Sequence, residues 1–306
     1  MAVCCKEQSK RVEDCNVTLS AGTEEQKSKQ IHGIKSVMSK IAVLSDIHSN
    51  GEAFAAVLDK CRELGIKKYV SLGDIVGYNA DPAWCVQQAK ELSFIAMVRG
   101  NHDEYLKTVD KLGDSGFNPN AKIAIEWTRE QLTAEEIDWV FNAPYRVQLP
   151  GITLVHATLD SPGNWGYIFD GHHAVDNFSY QFTQLCFCGH SHVPVAFCRG
   201  PVASNGRSIE MITAWNSNLD YPEADTDFSI ADELTVAYKP GHKYLFNIGS
   251  IGQPRNGDPR ASFAIIDTAN RLVTRYRLPY DIAAMQERNL AVGLPPRLAQ
   301  RLALGN

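Results

Sequence analysis

The strongest constraint on this chain is a series of short polar motifs, each directly after an apolar run of strand length. The runs occupy residues 41–45, 68–72, 94–99, 152–155 and 185–188. The motifs that follow them are, in order, Asp46-Ile47-His48, Gly73-Asp74, Gly100-Asn101-His102-Asp103, His156 and Gly189-His190-Ser191-His192. Because the carboxyl ends of strands in an open α/β sheet share one edge, these distant residues can converge there. The pattern therefore predicts an α/β fold with one composite site.

Helix signals lie between the predicted strands. Apolar residues recur at helical spacing over residues 54–64 behind Asn50, and Asp81-Pro82 is typical of an N-cap followed by the first helical residue. Thr133 and Glu136 have the spacing of a capping box. Alternating strands and helices favour a mostly parallel or mixed sheet.

Composition and charge narrow the class of protein. The chain has 306 residues, 44% hydrophobic and 21% charged, as expected for a globular enzyme or binding protein. A net charge of −5 argues against a nucleic-acid polymer as partner. No apolar stretch approaches the roughly 18 residues of a membrane span, and the N-terminus lacks the apolar core of a secretory signal. Eight cysteines without a disulfide framework favour a reducing, cytoplasmic location, and Cys186-x-Cys188 lacks the second pair typical of a zinc site.

The sequence predicts three regions. Residues 1–38 are polar and without periodicity, which is typical of a disordered tail, although a docking segment would look similar. Residues 39–280 contain all the motifs, interrupted by Gly-, Pro- and aromatic-rich or polar stretches at 157–181 and 199–243 that we interpret as loop or cap insertions. Residues 281–306 are expected to be helical, with a break at 293–296.

The residue types of the motifs suit a pair of metal ions. Each piece alone has a simpler interpretation, such as a helix cap, a polar turn or a structural histidine. Together they offer imidazole, carboxylate and amide oxygen ligands. Mixed His/Asp ligation suits manganese first, or iron, zinc, nickel or cobalt, better than magnesium or calcium. Two such cations about 3.5–4 Å apart can bridge a hydroxide and clamp a phosphoryl group, which is the requirement for phosphoester hydrolysis.

The motif series resembles that of the calcineurin-like metallophosphoesterase superfamily, D-x-H, GD, GNH[DE], H and GHxH, over residues 40–280. The flanking residues 45–50, 73–78 and 246–255 are similar to the bacterial and archaeal branch named after phosphodiesterases and diadenosine tetraphosphatases. The resemblance implies a four-layer α/β/β/α sandwich of two mixed sheets flanked by helices. It also implies hydrolysis of a small phosphodiester, phosphomonoester or dinucleotide polyphosphate by a metal-bridging hydroxide.

The resemblance also implies a role for each motif residue. The metal ligands would be Asp46, His48 and His192 for one ion, Asn101, His156 and His190 for the other, and Asp74 as the bridge. His102 would be the general acid that protonates the leaving oxygen, or would stabilise the transition state. Asp103 would tune His102, or would be a turn residue. Two residues are candidate substrate contacts on their own chemistry: Asn101, a neutral ligand that adds no charge, and Arg255, which lies in a Gly- and Pro-rich run and would either clamp a phosphate or be a surface turn residue.

Two other functions stay open on the sequence alone. Serine/threonine protein phosphatases of this superfamily carry GDxVDRG, but Gly77 and Tyr78 stand here at the positions of its second Asp and its Arg. A phosphate contact would then fall to Arg99 or Arg255. A non-catalytic protein-interaction scaffold would be expected to lose ligands, and all seven are present. An aromatic segment, Trp165, Tyr167 and Phe169, is either a platform for a flat leaving group or packing within its loop, and His172 and His173 are expected to face solvent.

Overall fold

The computed structural model describes residues 40–111, 118–201, 209–212, 215 and 232–306. The described strands are β1 Lys40–Leu44, β2 Tyr69–Ser71, β3 Ala96–Met97, β4 Arg146–Leu149, β5 Ile152–Val155, β6 Leu185–Cys188, β7 Val195–Arg199, β8 Ile209–Met211, β9 Glu233–Ala237, β10 Lys243–Asn247, β11 Ala261–Asp267 and β12 Leu272–Leu278. The described helices are α1 Gly51–Glu63, α2 Pro82–Glu91, α3 Asn101–Thr108, α4 Pro119–Gln131, α5 Ala134–Phe141, α6 Gly171–Tyr180, α7 Ile282–Ala291 and α8 Pro296–Leu304. Short 3₁₀ turns occupy Val109–Lys111 and Pro162–Asn164.

The strands form two mixed sheets of six strands each. The first has the order β3-β2-β1-β11-β12-β9 and the second β4-β5-β6-β10-β7-β8. In the first sheet Val43 of β1 pairs with Val70 of β2 in parallel and with Ala264 of β11 in antiparallel register. In the second sheet β6 lies parallel to both β5 and β10. The strands that precede the motifs therefore run in a common direction within each sheet.

Apolar side chains pack in three layers around the two sheets. Between the sheets, Val43 and Val70 belong to the same buried cluster as Leu154, Phe187 and Phe246. A second cluster packs the other face of the first sheet against α1 and α2, and a third packs the other face of the second sheet against α6. The order is helices, sheet, sheet, helix, so the predicted four-layer α/β/β/α sandwich is confirmed.

Local signals account for several helix boundaries. Asn50 caps α1 by accepting from the amide of Ala53 at 3.0 Å, and Thr133 and Glu136 form the expected capping box of α5. The predicted stretch at 157–181 is irregular only in its first part. Helix α6 occupies its second part, and Asp170 caps this helix by accepting from the amides of His172 and His173.

Parts of the predicted organisation lie outside the described residues. These parts are the tail at 1–38 and much of the stretch at 199–243. Within that stretch, the described residues include β8 and β9, each of which lies at an edge of its sheet. The C-terminal helices α7 and α8 lie on either side of Gly293. Among the described residues, no helix is long and apolar enough to cross a membrane.

Candidate metal centre

Loops at one edge of the two sheets carry every predicted metal ligand. Asp46 and His48 follow β1, Asp74 follows β2, and Asn101 is the first residue of α3 after β3. The second sheet contributes His156 after β5, and His190 and His192 after β6. All seven side chains are buried. The structure thus brings together residues from both sheets, as the motif order predicted.

The first group of candidate ligands consists of Asp46, His48 and His192. The Nδ1 atom of His48 donates to the carbonyl of Val76 at 3.0 Å, and that of His192 donates to the carbonyl of Gln253 at 2.6 Å. Each Nε2 atom therefore carries a lone pair, and the two Nε2 atoms are only 3.0 Å apart. Asp46 Oδ1 lies 3.2 Å from the Nε2 atom of His192.

Two facing lone pairs repel unless a cation lies between them. Burial lowers the pKa of both His48 and His192 well below the usual value, so a shared proton does not relieve the repulsion. Two nitrogens that ligate one tetrahedral zinc at 2.0–2.1 Å are about 3.3 Å apart. The observed spacing is close to that value. The arrangement therefore fits a transition metal held by His48 and His192.

The second group lies around His156 and His190. The Nδ1 atom of His156 donates to the carbonyl of Leu72 at 2.8 Å, and its Nε2 atom lies 3.2 Å from Oδ1 of Asn101. The Nε2 atom of His190 donates to the carbonyl of Trp165 at 2.9 Å, which leaves its Nδ1 atom as the candidate ligand. Burial lowers the pKa of His156, but Asp74 and Asp46 outweigh it and raise this pKa to about 9. The position therefore favours positive charge, which a metal would also supply.

Asp74 lies between the two groups. Its Oδ1 atom accepts from the amide of His102 at 2.8 Å, whereas its buried Oδ2 atom accepts from no backbone amide of the described residues and faces imidazole nitrogens. Oδ2 lies 3.6 Å from Nε2 of His48 and 3.3 Å from Nε2 of His156. A buried carboxylate oxygen in this position requires positive charge beside it, which protonated His156 or a bound cation would supply. Asp74 is therefore the residue that could serve both groups of candidate ligands.

Gly100 allows this close approach. A Cβ atom at this position would lie 2.1 Å from Oδ1 of Asp74 and 2.6 Å from its Cγ atom. The second and third motifs therefore touch through a residue without a side chain. This contact explains why a glycine precedes Asn101.

His102 and Asp103, the predicted catalytic residues, have different surroundings. The imidazole of His102 packs at 4.3 Å from the ring of Tyr78, and its buried Nδ1 atom has no partner among the described residues. Burial lowers the pKa of His102 to about 4. The carboxylate of Asp103 accepts from the amides of Asp74 at 2.8 Å, Ile75 at 3.1 Å and Gly100 at 3.0 Å. Asp103 thus ties two motif loops together through their backbones.

A small cavity of about 30 Å³ lies beside the centre. It is lined by Asp74, Tyr78, Asn101, His102, Tyr167, His190, His192 and Arg255. Arg255 donates through Nη2 to the hydroxyl of Tyr78 at 3.1 Å and to Oε1 of Gln253 at 2.8 Å. Arg99 instead donates to the carbonyl of Phe141 at 2.7 Å and stacks on Tyr145. Of the two candidate phosphate contacts, Arg255 is the one that lines the cavity.

The aromatic segment lies over the second group. The Tyr167 ring stacks on the imidazole of His190, with ring centroids 4.4 Å apart, and on Phe169 at 5.4 Å. Trp165 contacts His156 edge-to-face at 5.8 Å. Tyr167 is 44% exposed and Phe169 38% exposed, so the segment packs on the centre and also reaches the protein surface. His172 and His173 are exposed, as expected from the sequence.

Three groups that contact or orient residues of the centre were not predicted from the sequence. Tyr78 contacts both His102 and Arg255, the carbonyl of Gln253 orients His192, and the carbonyl of Trp165 orients His190. Two of these groups are backbone carbonyls, for which side-chain identity gives no signal. Tyr78 could have been found, because it directly continues the Gly73-Asp74 motif.

Comparison with known proteins agrees with this geometry. The family description "Calcineurin-like phosphoesterase superfamily domain" matches residues 39–212, more than half of the chain. The chain belongs to the calcineurin-like phosphoesterase superfamily. An uncharacterised protein of Methanocaldococcus jannaschii is 34% identical over 273 residues, which cover 88% of this chain and 99% of that protein.

Two solved structures have similar folds. A metallophosphoesterase from Sphaerobacter thermophilus is 34% identical with a TM-score of 0.70, and the match covers 88% of this chain and 99% of that one. A hypothetical protein from Pyrococcus horikoshii OT3 is 20% identical with a TM-score of 0.66, covering 87% and 98% of the respective chains, and it shows the fold alone.

Membership of the superfamily and the His/Asp cluster together define the class of activity. This calcineurin-like phosphoesterase is a metal-dependent hydrolase of phosphoester bonds with a dinuclear divalent metal site. Cys186 and Cys188 are buried free thiols, and in the described part of the chain neither belongs to a potential metal-binding group.

Proposed function

We propose that this phosphoesterase hydrolyses a small phosphorylated substrate, namely a phosphodiester, a phosphomonoester or a dinucleotide polyphosphate. The observation that supports this proposal best is the buried Oδ2 atom of Asp74, which faces His48 on one side and His156 on the other. That position suits a carboxylate shared by two cations. We propose a cytosolic location as well, since the five cysteines in the described residues are all free.

The proposed ligand sets follow the two groups. Asp46, His48 and His192 would hold one ion, Asn101, His156 and His190 the other, and Asp74 both. Because the set mixes imidazole with carboxylate and amide oxygens, we expect manganese, or else iron, zinc, nickel or cobalt. When bound, the ions would supply an activated water and neutralise charge on the phosphoryl oxygens.

His102 is the proposed acid. Its Nδ1 atom lies against Gly77, which leaves Nε2 as the nitrogen available to a substrate. Because burial lowers the pKa of His102 to about 4, the imidazole of the free protein is neutral at pH 7 and can donate one hydrogen bond. An anionic phosphate beside it would favour the protonated form and raise that pKa. His102 would then donate a proton to the leaving oxygen, or a hydrogen bond in the transition state.

Arg255 and Asp103 have supporting roles in this proposal. The Arg255 guanidinium, oriented by Tyr78 and Gln253, would contact a phosphoryl oxygen, while the carbonyl of Asn101 would ligate without adding negative charge. Asp103 would act as a positioning residue, because it fixes the backbone amides of Asp74 and Gly100.

The test is a substrate panel with manganese-loaded protein. The panel contains bis-p-nitrophenyl phosphate, p-nitrophenyl phosphate, cyclic nucleotides, dinucleoside polyphosphates and a phosphopeptide. We expect His102→Ala to lower kcat by about 10²–10⁴-fold at unchanged metal content, since general acids contribute that much. His172→Ala is the matched control, because His172 is exposed.

Each alternative function predicts a different outcome. A metal-loaded wild type that is inert across the panel would indicate a protein-interaction scaffold. Hydrolysis of the phosphopeptide alone would indicate a protein phosphatase. Equal activity of wild type and His102→Ala would exclude His102 as the acid.

A further inference from the structure

Tyr78 packs on the imidazoles of the candidate metal centre. It follows Gly77 in the loop after β2, and its side chain is buried. Its ring centroid lies 4.3 Å from that of His102 and 4.7 Å from that of His48. With φ of +65°, Tyr78 has a left-handed backbone conformation that is unfavourable for a residue other than glycine. The surrounding loops have to enforce this conformation, and such strain is typical of residues at functional sites.

The hydroxyl group of Tyr78 accepts one hydrogen bond and has its own hydrogen left to donate. Nη2 of Arg255 donates to this hydroxyl at 3.1 Å, and a guanidinium can only donate. In the described part of the chain, no acceptor contacts the hydroxyl hydrogen of Tyr78. Burial raises the pKa of Tyr78, although Arg255 opposes this shift, so the hydroxyl is protonated at neutral pH. The buried hydroxyl of Tyr69, by contrast, donates to the carbonyl of Ile66 at 3.2 Å.

Tyr78 also lines the cavity beside the metal centre. The same cavity is lined by His102, by Arg255 and by the candidate ligands Asp74 and Asn101. Its volume of about 30 Å³ is sufficient for one or two atoms of the size of a water oxygen. An oxygen atom bound there would lie beside the candidate metal ligands, the guanidinium and the phenol. An anionic phosphoryl oxygen suits these surroundings, because hydrogen bonds to a charged acceptor are roughly twice as strong as those to a neutral one.

We propose that Tyr78 is a catalytic residue whose hydroxyl donates a hydrogen bond to a phosphoryl oxygen of the substrate. This inference rests on the proposed function, in which Arg255 contacts a phosphoryl oxygen, and it assigns a second, uncharged donor to the phosphoryl group. The hydroxyl keeps its hydrogen throughout, so the proton that the leaving oxygen takes up still comes from His102. Tyr78 thus acts on the substrate directly as well as by orienting Arg255.

The test removes the hydroxyl of Tyr78 and keeps its ring, in protein that is loaded with manganese and then freed of excess metal. Tyr78→Phe should lower kcat/KM for bis-p-nitrophenyl phosphate about 10–100-fold, the loss expected for a hydrogen bond to a charged group. Inorganic phosphate, used as an inhibitor, should bind about tenfold more weakly or worse, because it offers the same kind of oxygen. The metal content by mass spectrometry should stay unchanged, since Tyr78 is not a candidate ligand.

Two further variants separate direct contact with the substrate from other effects of the substitution. Tyr280→Phe is the matched control, because the hydroxyl of Tyr280 accepts from Nδ2 of Asn50 at 3.3 Å, outside the described lining of the cavity. It should keep both kcat/KM and the affinity for phosphate. Arg255→Met removes the guanidinium, and the effect of Tyr78→Phe is measured again in that background. A loss of about tenfold or more in both backgrounds is expected if the hydroxyl acts on its own.

The outcomes distinguish the role of Tyr78 from the proposed function itself. Unchanged kcat/KM and phosphate affinity in Tyr78→Phe, or an effect that disappears in the Arg255→Met background, would overturn the direct contact while leaving hydrolysis intact. If the wild type hydrolysed nothing, the proposed function would fail, and calorimetric titration of inorganic phosphate into the manganese-loaded protein would still test Tyr78. Weaker binding by Tyr78→Phe in both backgrounds would support the contact. Equal binding, or no binding of phosphate by the wild type, would refute it.

Discussion

Substitution of Gly77 by alanine would displace His102 without changing any candidate metal ligand. A Cβ atom at this position would lie 2.4 Å from Nδ1 of His102 and 3.0 Å from its Cγ atom. Ordinary van der Waals contacts with a Cβ atom begin at 3.4 Å, so the imidazole has to retreat by about 1 Å. Because the ring also packs against Tyr78 and His48, each with centroids within 4.7 Å, it has little room to do so.

Gly77→Ala is expected to lower the activity strongly and the stability of the fold moderately. A misplacement of about 1 Å in a catalytic group can lower turnover about 100-fold. Gly77 has φ of +96°, so alanine there is strained by about 1–3 kcal/mol, and overpacking adds about 1–3 kcal/mol. Gly151 is the matched control, because its φ is +76° and nothing lies within 4 Å of the Cβ position. Gly151→Ala should lose stability through strain alone and keep full activity.

The assay measures kcat on bis-p-nitrophenyl phosphate, metal content by mass spectrometry and the free energy of unfolding by urea titration. We expect Gly77→Ala to bind the same amount of metal as Gly151→Ala and to turn over about 100-fold more slowly. If the two variants have equal kcat at equal metal content, the placement of His102 does not limit the reaction, and the proposed role of this histidine is wrong.

Three other perturbations test the centre and its surroundings. Asn101→Asp should retain metal but lose about tenfold or more in kcat, because a third carboxylate weakens the attraction for an anionic ester; unchanged turnover would contradict this charge argument. Removal of metal with a chelator should lower Tm, and manganese at 100 times its Kd should restore about 2.7 kcal/mol, or about 5–10 °C by calorimetry. Asp258→Asn should cost about 3–5 kcal/mol, because Arg277 is buried and pairs with Asp258 at 2.8 Å. Burial raises the pKa of Asp258, but bonds from Arg260 and the charge of Arg277 outweigh it and hold this pKa below the usual value. The stability that Asp258 contributes is therefore present above about pH 4 and lost as pH falls through the lower folded pKa, so urea titrations should show the gap between variant and wild type closing in acid.

The sequence was sufficient to predict those strands and helices whose boundaries are marked by local residue patterns. Strands β5 and β6 were predicted with their observed boundaries, because short apolar runs there end at polar or turn residues. The capping box at Thr133 marked the start of α5 for the same reason. The motif order also placed the seven candidate ligands at one sheet edge, since chain direction within parallel strands fixes which ends meet.

Local sequence patterns did not predict the contacts between segments that are distant in the chain. Nothing in the composition of 157–181 distinguishes the loop over His190 from the helix α6 that follows it, apart from the cap at Asp170. Asp103 was expected either to tune His102 or to be a turn residue, and sequence patterns did not predict that its carboxylate accepts from the amides of Asp74, Ile75 and Gly100. The association of α8 with Tyr78 depends on packing across more than 200 residues of chain.

The backbone conformation of the centre explains why its geometry is specific. Five candidate ligands have positive φ angles: Asp46, His48, Asp74, His190 and His192. Such conformations cost about 1–3 kcal/mol each outside glycine, so the surroundings have to enforce them. Hydrogen bonds between the motif loops do so, since the amides of Asp46 and His48 donate to the carbonyls of Gly73 and Asp74 at 3.1 and 3.0 Å. The carbonyl of Asp46 in turn accepts from the amide of Gly252 at 2.9 Å. The contacts between the packed loops therefore orient the candidate ligands, and such orientation by the protein itself reduces the conformational entropy that metal binding would have to overcome.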